Sequence, residues 1–136
     1  MQTEPDDILA RTIVGLAMKV HRKLGSGFLE AVYRNALAHE LRKTSTSFEC
    51  HPSLAVMYDG IEVGIYQADL IVEGKLIVEL KAVSAISDEH LAQLVNYLTA
   101  TKIENGLLLN FGARSLEFRT KTRTYQMRNG TPNLQS

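Results

Sequence analysis

Apolar and polar positions change their spacing twice along this chain. Ile8, Leu9, Ile13, Leu16, Ala17, Val20 and Leu24 recur at helical intervals behind a capping Asp6 or Asp7, which predicts an amphipathic helix. Gly25 is a natural stop, and Gly25-Ser26-Gly27 makes a short turn. A second helix is predicted from about Phe28 to Lys43 on Leu29, Val32, Tyr33, Ala36, Leu37 and Leu41. The period then shortens, and Phe48 to Val83 reads as a meander of three strands: Phe48 to Tyr58, Ile61 to Val72, and Leu76 to Ala82. Asp59-Gly60 and Glu73-Gly74 are the turns between them. Helical spacing returns from Asp88 to Thr101, with Ser87 as cap and Leu91, Leu94, Val95 and Leu98 as the core face. Asn105-Gly106 leads into Leu107-Leu108-Leu109, a run suited to a strand buried on both faces. A last short strand is expected near Leu116 to Phe118 or through Thr122 to Tyr125, before a fraying tail from Asn129.

This order, α-α-β-β-β-α-β with a C-terminal extension, places a helix between two strands. It therefore predicts a crossover, with part of the sheet parallel. The expected fold class is α/β (α+β): a mixed sheet flanked by helices, with an extra N-terminal helix, as a single domain over 1–136. At 136 residues the chain can bury a full core without staples. The formal net charge is zero, which argues against an evenly basic coat but leaves local patches open. Cys50 is the single cysteine, as in a reducing compartment. No basic leader and no apolar run of membrane-spanning length is visible, so a soluble cytoplasmic protein is expected.

The chemistry is concentrated in one hairpin. Glu79 and Lys81 interrupt an apolar strand at spacing two, so they share a face, while Leu76, Val78 and Leu80 form the other. A three-residue loop after Val72 matches apolar with apolar at every rung: Val72 with Leu76, Ile71 with Ile77, Leu70 with Val78, Ala68 with Leu80. The same register sets Asp69 opposite Glu79, roughly 4.5–5.5 Å apart at Cβ. Carboxylates that close repel unless a proton or cation sits between them. Oxygen-only ligands favour Mg²⁺ or Mn²⁺ over zinc. Lys81, beside them, can orient or deprotonate a nucleophile. The plainer reading is a cross-strand ion pair of Asp69 or Glu79 with Lys81 on a solvated face.

Asp69, nine residues, then Glu79-Leu80-Lys81 resembles the D-X(n)-E-X-K signature of the PD-(D/E)XK nucleases. More narrowly, Gly27-Phe28-Leu29-Glu30-Ala31-Val32-Tyr33 resembles the signature of the GxxExxY proteins, a bacterial and archaeal group assigned to that fold. Val20-His21-Arg22-Lys23-Leu24-Gly25, Gln93-Leu94-Val95-Asn96-Tyr97-Leu98 and Leu109-Asn110-Phe111-Gly112 match in order, so the resemblance covers about Ile8 to Phe118. It implies a restriction-endonuclease-like core and metal-dependent hydrolysis of nucleic acid, DNA rather than RNA. It further implies Asp69 and Glu79 as metal ligands, Lys81 as the catalytic lysine, Glu30 as an acid from the helix and Gln93 as a polar residue of the later helix. Gln67 departs from the basic residue that many relatives carry there.

Other residues have plainer explanations. Glu30 can pair with Arg34 at i+4. Gln93 lies on a polar stripe with His90 and Tyr97. His21, His39, His51 and His90 lack metal-ligand spacing. The C-terminal stretch carries Arg114, Arg119, Lys121, Arg123 and Arg128 against Glu117, with Phe118 and Tyr125 interleaved: a phosphate-backbone contact, or a charged edge strand. The functional expectation is an Mg²⁺- or Mn²⁺-dependent nuclease. Against it stand a silent nucleic-acid- or partner-binding module and an accessory subunit of a homodimer or larger complex. A binding module has no physical need for two close carboxylates, which repel a phosphate backbone.

Overall fold

The computed structural model describes residues 5–123, with side chains from Ile8 onward. Helix α1 begins at Pro5, so Asp6 and Asp7, expected to cap it, lie inside its first turn; the tail, Tyr125 and Arg128 lie outside the described residues. Helix α1 (Pro5–Leu24) and helix α2 (Glu30–Arg42) precede a run of five strands: β1 (Phe48–Cys50), β2 (Ser53–Tyr58), β3 (Ile61–Gln67), β4 (Leu70–Val72) and β5 (Leu76–Lys81). Helix α3 (Asp88–Thr101), β6 (Asn105–Asn110) and β7 (Glu117–Thr122) complete the chain. The main sheet has the order β1-β4-β5-β6-β7, and β5 runs parallel to β6 across the α3 crossover. A mixed sheet flanked by helices is the architecture that the periodicity predicts.

Two of the three meander strands are broken in the middle. His51 adopts a left-handed φ of 57°, and Pro52 has no amide proton to give a ladder. Across from them the second strand breaks at Ala68-Asp69. The His51 amide donates to the Asp69 carbonyl (2.7 Å), and the Ala68 amide donates to the Pro52 carbonyl (3.2 Å). One long hairpin thus bends. Its base, β1 and β4, joins the main sheet, while its tip, β2 and β3, forms a separate two-stranded ribbon. The final strand is Glu117–Thr122, between the two positions expected for it, antiparallel to β6.

The alternating side chains of β4, β5 and β6 divide the core into two layers. Leu70, Val72, Leu76, Val78, Leu80, Leu107 and Leu109 pack under α1 and α2 with Ile13, Ala17, Tyr33, Leu37 and Phe111. Ile71, Ile77 and Leu108 pack on the opposite face under α3, with Leu94, Leu98, Ala68 and Tyr66. The Tyr66 ring stacks on Tyr97 at 3.6 Å, which ties the ribbon to α3. Ser87 caps α3 as expected, accepting from the His90 amide (3.2 Å), and the His90 ring accepts from the Ser87 amide (3.0 Å). His90 is thereby a structural residue.

Candidate active site

Glu79 and Lys81 lie on β5 on the α3 side of the sheet, in phase with Ile77. The β4–β5 ladder follows the predicted register over three rungs: Val72 with Leu76, Ile71 with Ile77, Leu70 with Val78. The Glu73-Gly74 turn takes left-handed φ values of 56° and 67°. The next rungs do not form. The buried Asp69 turns its side chain to the neighbouring strand, and its Oδ2 accepts the Leu80 amide at 2.8 Å. That amide would otherwise have met a carbonyl near Ala68. A carboxylate thus ends the ladder and is fixed beside Glu79 by a main-chain bond.

Asp69 Oδ1 is held by Arg34 Nη1 at 3.3 Å, a part-buried ion pair reaching from α2 to the residue that precedes β4. Arg34 is therefore the partner of Asp69, not the i+4 partner of Glu30. No local sequence signal marks this pair, because 35 residues separate its members. A hint lay in Arg34 following the buried Tyr33, on the side of α2 that turns inward.

Tyr33 ties the turn between α1 and α2 to the core. Its ring is fully buried and stacks on Phe111 at 4.5 Å. Its hydroxyl donates to the Gly25 carbonyl (2.6 Å) and accepts the Phe28 amide (3.2 Å). Gly25 and Gly27 take φ of 71° and 115°, a turn that side-chain-bearing residues resist. The tyrosine thus anchors the turn leading into α2, whose first residue is Glu30. Glu30 is exposed, yet its charge acts on Glu79.

Glu79 is the most perturbed group of the site. Burial pushes its carboxyl up to about 8; the ammonium of Lys81 pulls it down, and the charge of Glu30 pushes it up further. Its Oε2 is buried and accepts no hydrogen bond from any described residue. A buried carboxylate oxygen without a donor costs on the order of 1–3 kcal/mol, more when charged. Gln93 lies on α3, which covers the same face of the sheet, but its side chain is exposed and bonds to no other described residue. Gln67 is exposed and donates to Ser53 Oγ at 3.3 Å.

Beyond Lys81 the chain is braced by a buried asparagine. Asn110 Oδ1 accepts the Val83 and Gly112 amides at 2.9 and 3.0 Å, while its Nδ2 donates to Glu117 at 2.9 Å. The Glu117 carboxyl is held below its ordinary value, first by Asn110 and then by the Ile86 amide. Phe111 donates its amide to the Lys81 carbonyl at 2.8 Å. These bonds fix the end of β5 from which Lys81 projects.

Among the described residues no group of three or more His, Cys, Asp or Glu side chains is gathered for a metal ion. Mg²⁺ needs no such cage, since it keeps several waters and takes one or two carboxylates. The donor set here suits that habit. Glu79 has an unpartnered oxygen, and the two Asp69 oxygens each accept one bond in a group with about four acceptor sites.

The family model of the PD-(D/E)XK nuclease superfamily matches residues 7–122, and the chain belongs to that superfamily. No curated protein matches the chain by sequence. Among solved structures, one described as SSO0001 superposes with a TM-score of 0.51 at 18% identity, covering 71% of this chain. The chain spans only about half of that protein, 52% of its length. An alkaline exonuclease from Laribacter hongkongensis superposes with a TM-score of 0.52 at 12% identity, covering 91% of this chain and 73% of the exonuclease. Both are likenesses of fold. No helix among the described residues is long and apolar enough to cross a membrane.

Proposed function

We propose that this chain is a metal-dependent nuclease of the GxxExxY group that hydrolyses phosphodiester bonds of DNA. The observation that carries this reading is the buried Glu79 Oε2, which lacks a hydrogen-bond partner beside Lys81 and the anchored Asp69. A structural ion pair would leave no such oxygen. A site awaiting a cation would.

Asp69 and Glu79 would hold the Mg²⁺ or Mn²⁺. When bound, the cation supplies Lewis acidity, lowering the pKa of water and clamping the scissile phosphate. Asp69 is aimed by Arg34 and the Leu80 amide, so its oxygens are held in place without rearrangement. Glu79 would be one of the residues holding the cation, whose charge would offset the burial that raises its carboxyl. Lys81, on the same face, orients the attacking water and offsets charge on the phosphate as the P–O bond to the leaving oxygen breaks. Glu30, whose charge reaches Glu79, and Gln93 on α3 would serve as polar contacts to water or substrate.

The test is cleavage of plasmid and oligonucleotide DNA with Mg²⁺ or Mn²⁺, with and without chelator, by wild type, Glu79→Ala and Lys81→Ala. Wild type should cut only with metal, and both variants should lose turnover while remaining folded. Lys81→Ala should lower turnover more than metal affinity. Cleavage that persists in both variants, or a wild type that cuts no nucleic acid, contradicts the proposal.

A further inference from the structure

Two basic stretches have no part in the site described above: His21-Arg22-Lys23, which closes α1, and the segment from Arg114 onward. The fold brings them together. A groove of about 300 Å³ is lined by Met18, His21, Arg22, Arg114, Ser115 and Leu116. Its lining contains two guanidinium groups and one hydroxyl but no acid. Arg22 and Arg114 are exposed, and neither forms an ion pair or hydrogen bond with another described side chain. The wall between them is fixed, because His21 Nε2 lies 3.0 Å from the Ala113 carbonyl and the His21 ring packs near Phe111.

Cations in the last turn of a helix have an ordinary use: they offset the negative end of its dipole. That accounts for Arg22 and Lys23. It does not account for Arg114, which comes from a different segment and faces the same groove. Two unpaired guanidinium groups on one groove repel each other, and an anion between them relieves this. Their planar donor forks suit phosphate oxygens better than the point charge of an ammonium. Ser115 adds a donor.

The groove lies on the α1 side of the sheet, at the end where β5 and β6 finish side by side. Arg114 follows Phe111 by three residues, a chain length of at most about 11 Å, and the Phe111 amide is bonded to the Lys81 carbonyl. We propose that Arg22 and Arg114 form a phosphate-binding subsite that grips the nucleic-acid backbone on one flank of the bond presented to Glu79 and Lys81. This inference rests on the nuclease reading and deepens it.

The test is fluorescence anisotropy of labelled single-stranded and duplex oligonucleotides, in chelator so that nothing is cut, across a range of salt. The proteins are wild type, Arg22→Ala/Arg114→Ala, Arg22→Lys/Arg114→Lys, and the control Arg11→Ala on the exposed face of α1. The double alanine variant should bind about tenfold more weakly at low salt. Its slope of log affinity against log salt should be smaller by roughly one to two, with no dependence on sequence. The lysine variant should retain the slope, and Arg11→Ala should match wild type. If wild type binds while the alanine variant is unchanged, or if Arg11→Ala loses as much, the subsite is overturned and the nuclease reading stands. If wild type binds neither oligonucleotide, the nuclease reading fails and takes the subsite with it.

Discussion

Replacing Glu79 by glutamine should stabilise the metal-free protein at alkaline pH and leave it unchanged in acid. The side chain keeps its shape and loses its charge. In the fold the Glu79 carboxyl is raised from the ordinary 4.5 to about 8. At 1.36 kcal/mol per pH unit this corresponds to on the order of 5 kcal/mol as an upper bound. Local relaxation and water entry reduce it, and a realised effect of about 2–3 kcal/mol is expected. The direction follows from proton counting. Below 4.5 both folded and unfolded chains hold the proton, and there is no penalty. As pH rises from 4.5 to about 8 the unfolded chain releases the proton that the folded chain keeps, so stability falls. Above about 8 the cost is fully present. Urea unfolding in chelator across this range should therefore show wild type losing stability while Glu79→Gln loses much less. Parallel curves for the two proteins would refute the buried, uncompensated state of Glu79.

Arg34→Ala leaves Asp69 with only the Leu80 amide; a loss of about 2 kcal/mol is expected by denaturant unfolding, with Arg34→Lys recovering part of it. Tyr33→Phe removes the bonds to Gly25 and Phe28 but keeps the stack on Phe111. It should cost about 1–2 kcal/mol and raise hydrogen exchange in the turn before Glu30. Gly112→Ala drives a methyl into the Val83 amide nitrogen and carbonyl oxygen, where backbone must move. Thermal unfolding should show a loss of about 3 kcal/mol or more.

Much of the fold was legible because the hydrophobic period changes sharply where the elements change. The β4–β5 register followed from pairing apolar residues with apolar residues, since a slip by one would have exposed Leu70 and Val72. The parallel pairing of β5 with β6 followed from the intervening helix. What escaped were effects made by single side chains. Pro52 stood in the middle of a predicted strand, and its missing amide was the available sign that the hairpin bends there. Asp69 was expected to take a rung opposite Glu79. Instead its carboxylate caps the Leu80 amide, an exchange that residue spacing does not encode. The Arg34–Asp69 pair and the Asn110–Glu117 brace join segments that only the folded chain brings together. Strand spacing set Glu79 and Lys81 on one face of β5, whereas the positions of Asp69, Glu30 and Gln93 depend on the bend in the hairpin and on how the helices dock.

The most direct test of the account is isothermal titration of Mn²⁺ into metal-free wild type and Glu79→Ala near pH 8, where the Glu79 carboxyl is about half ionised. The account predicts one saturable site in wild type, proton release that shrinks as pH rises past that value, and loss of most of the heat in Glu79→Ala. No saturable binding by wild type, or equal binding by Glu79→Ala, would contradict it.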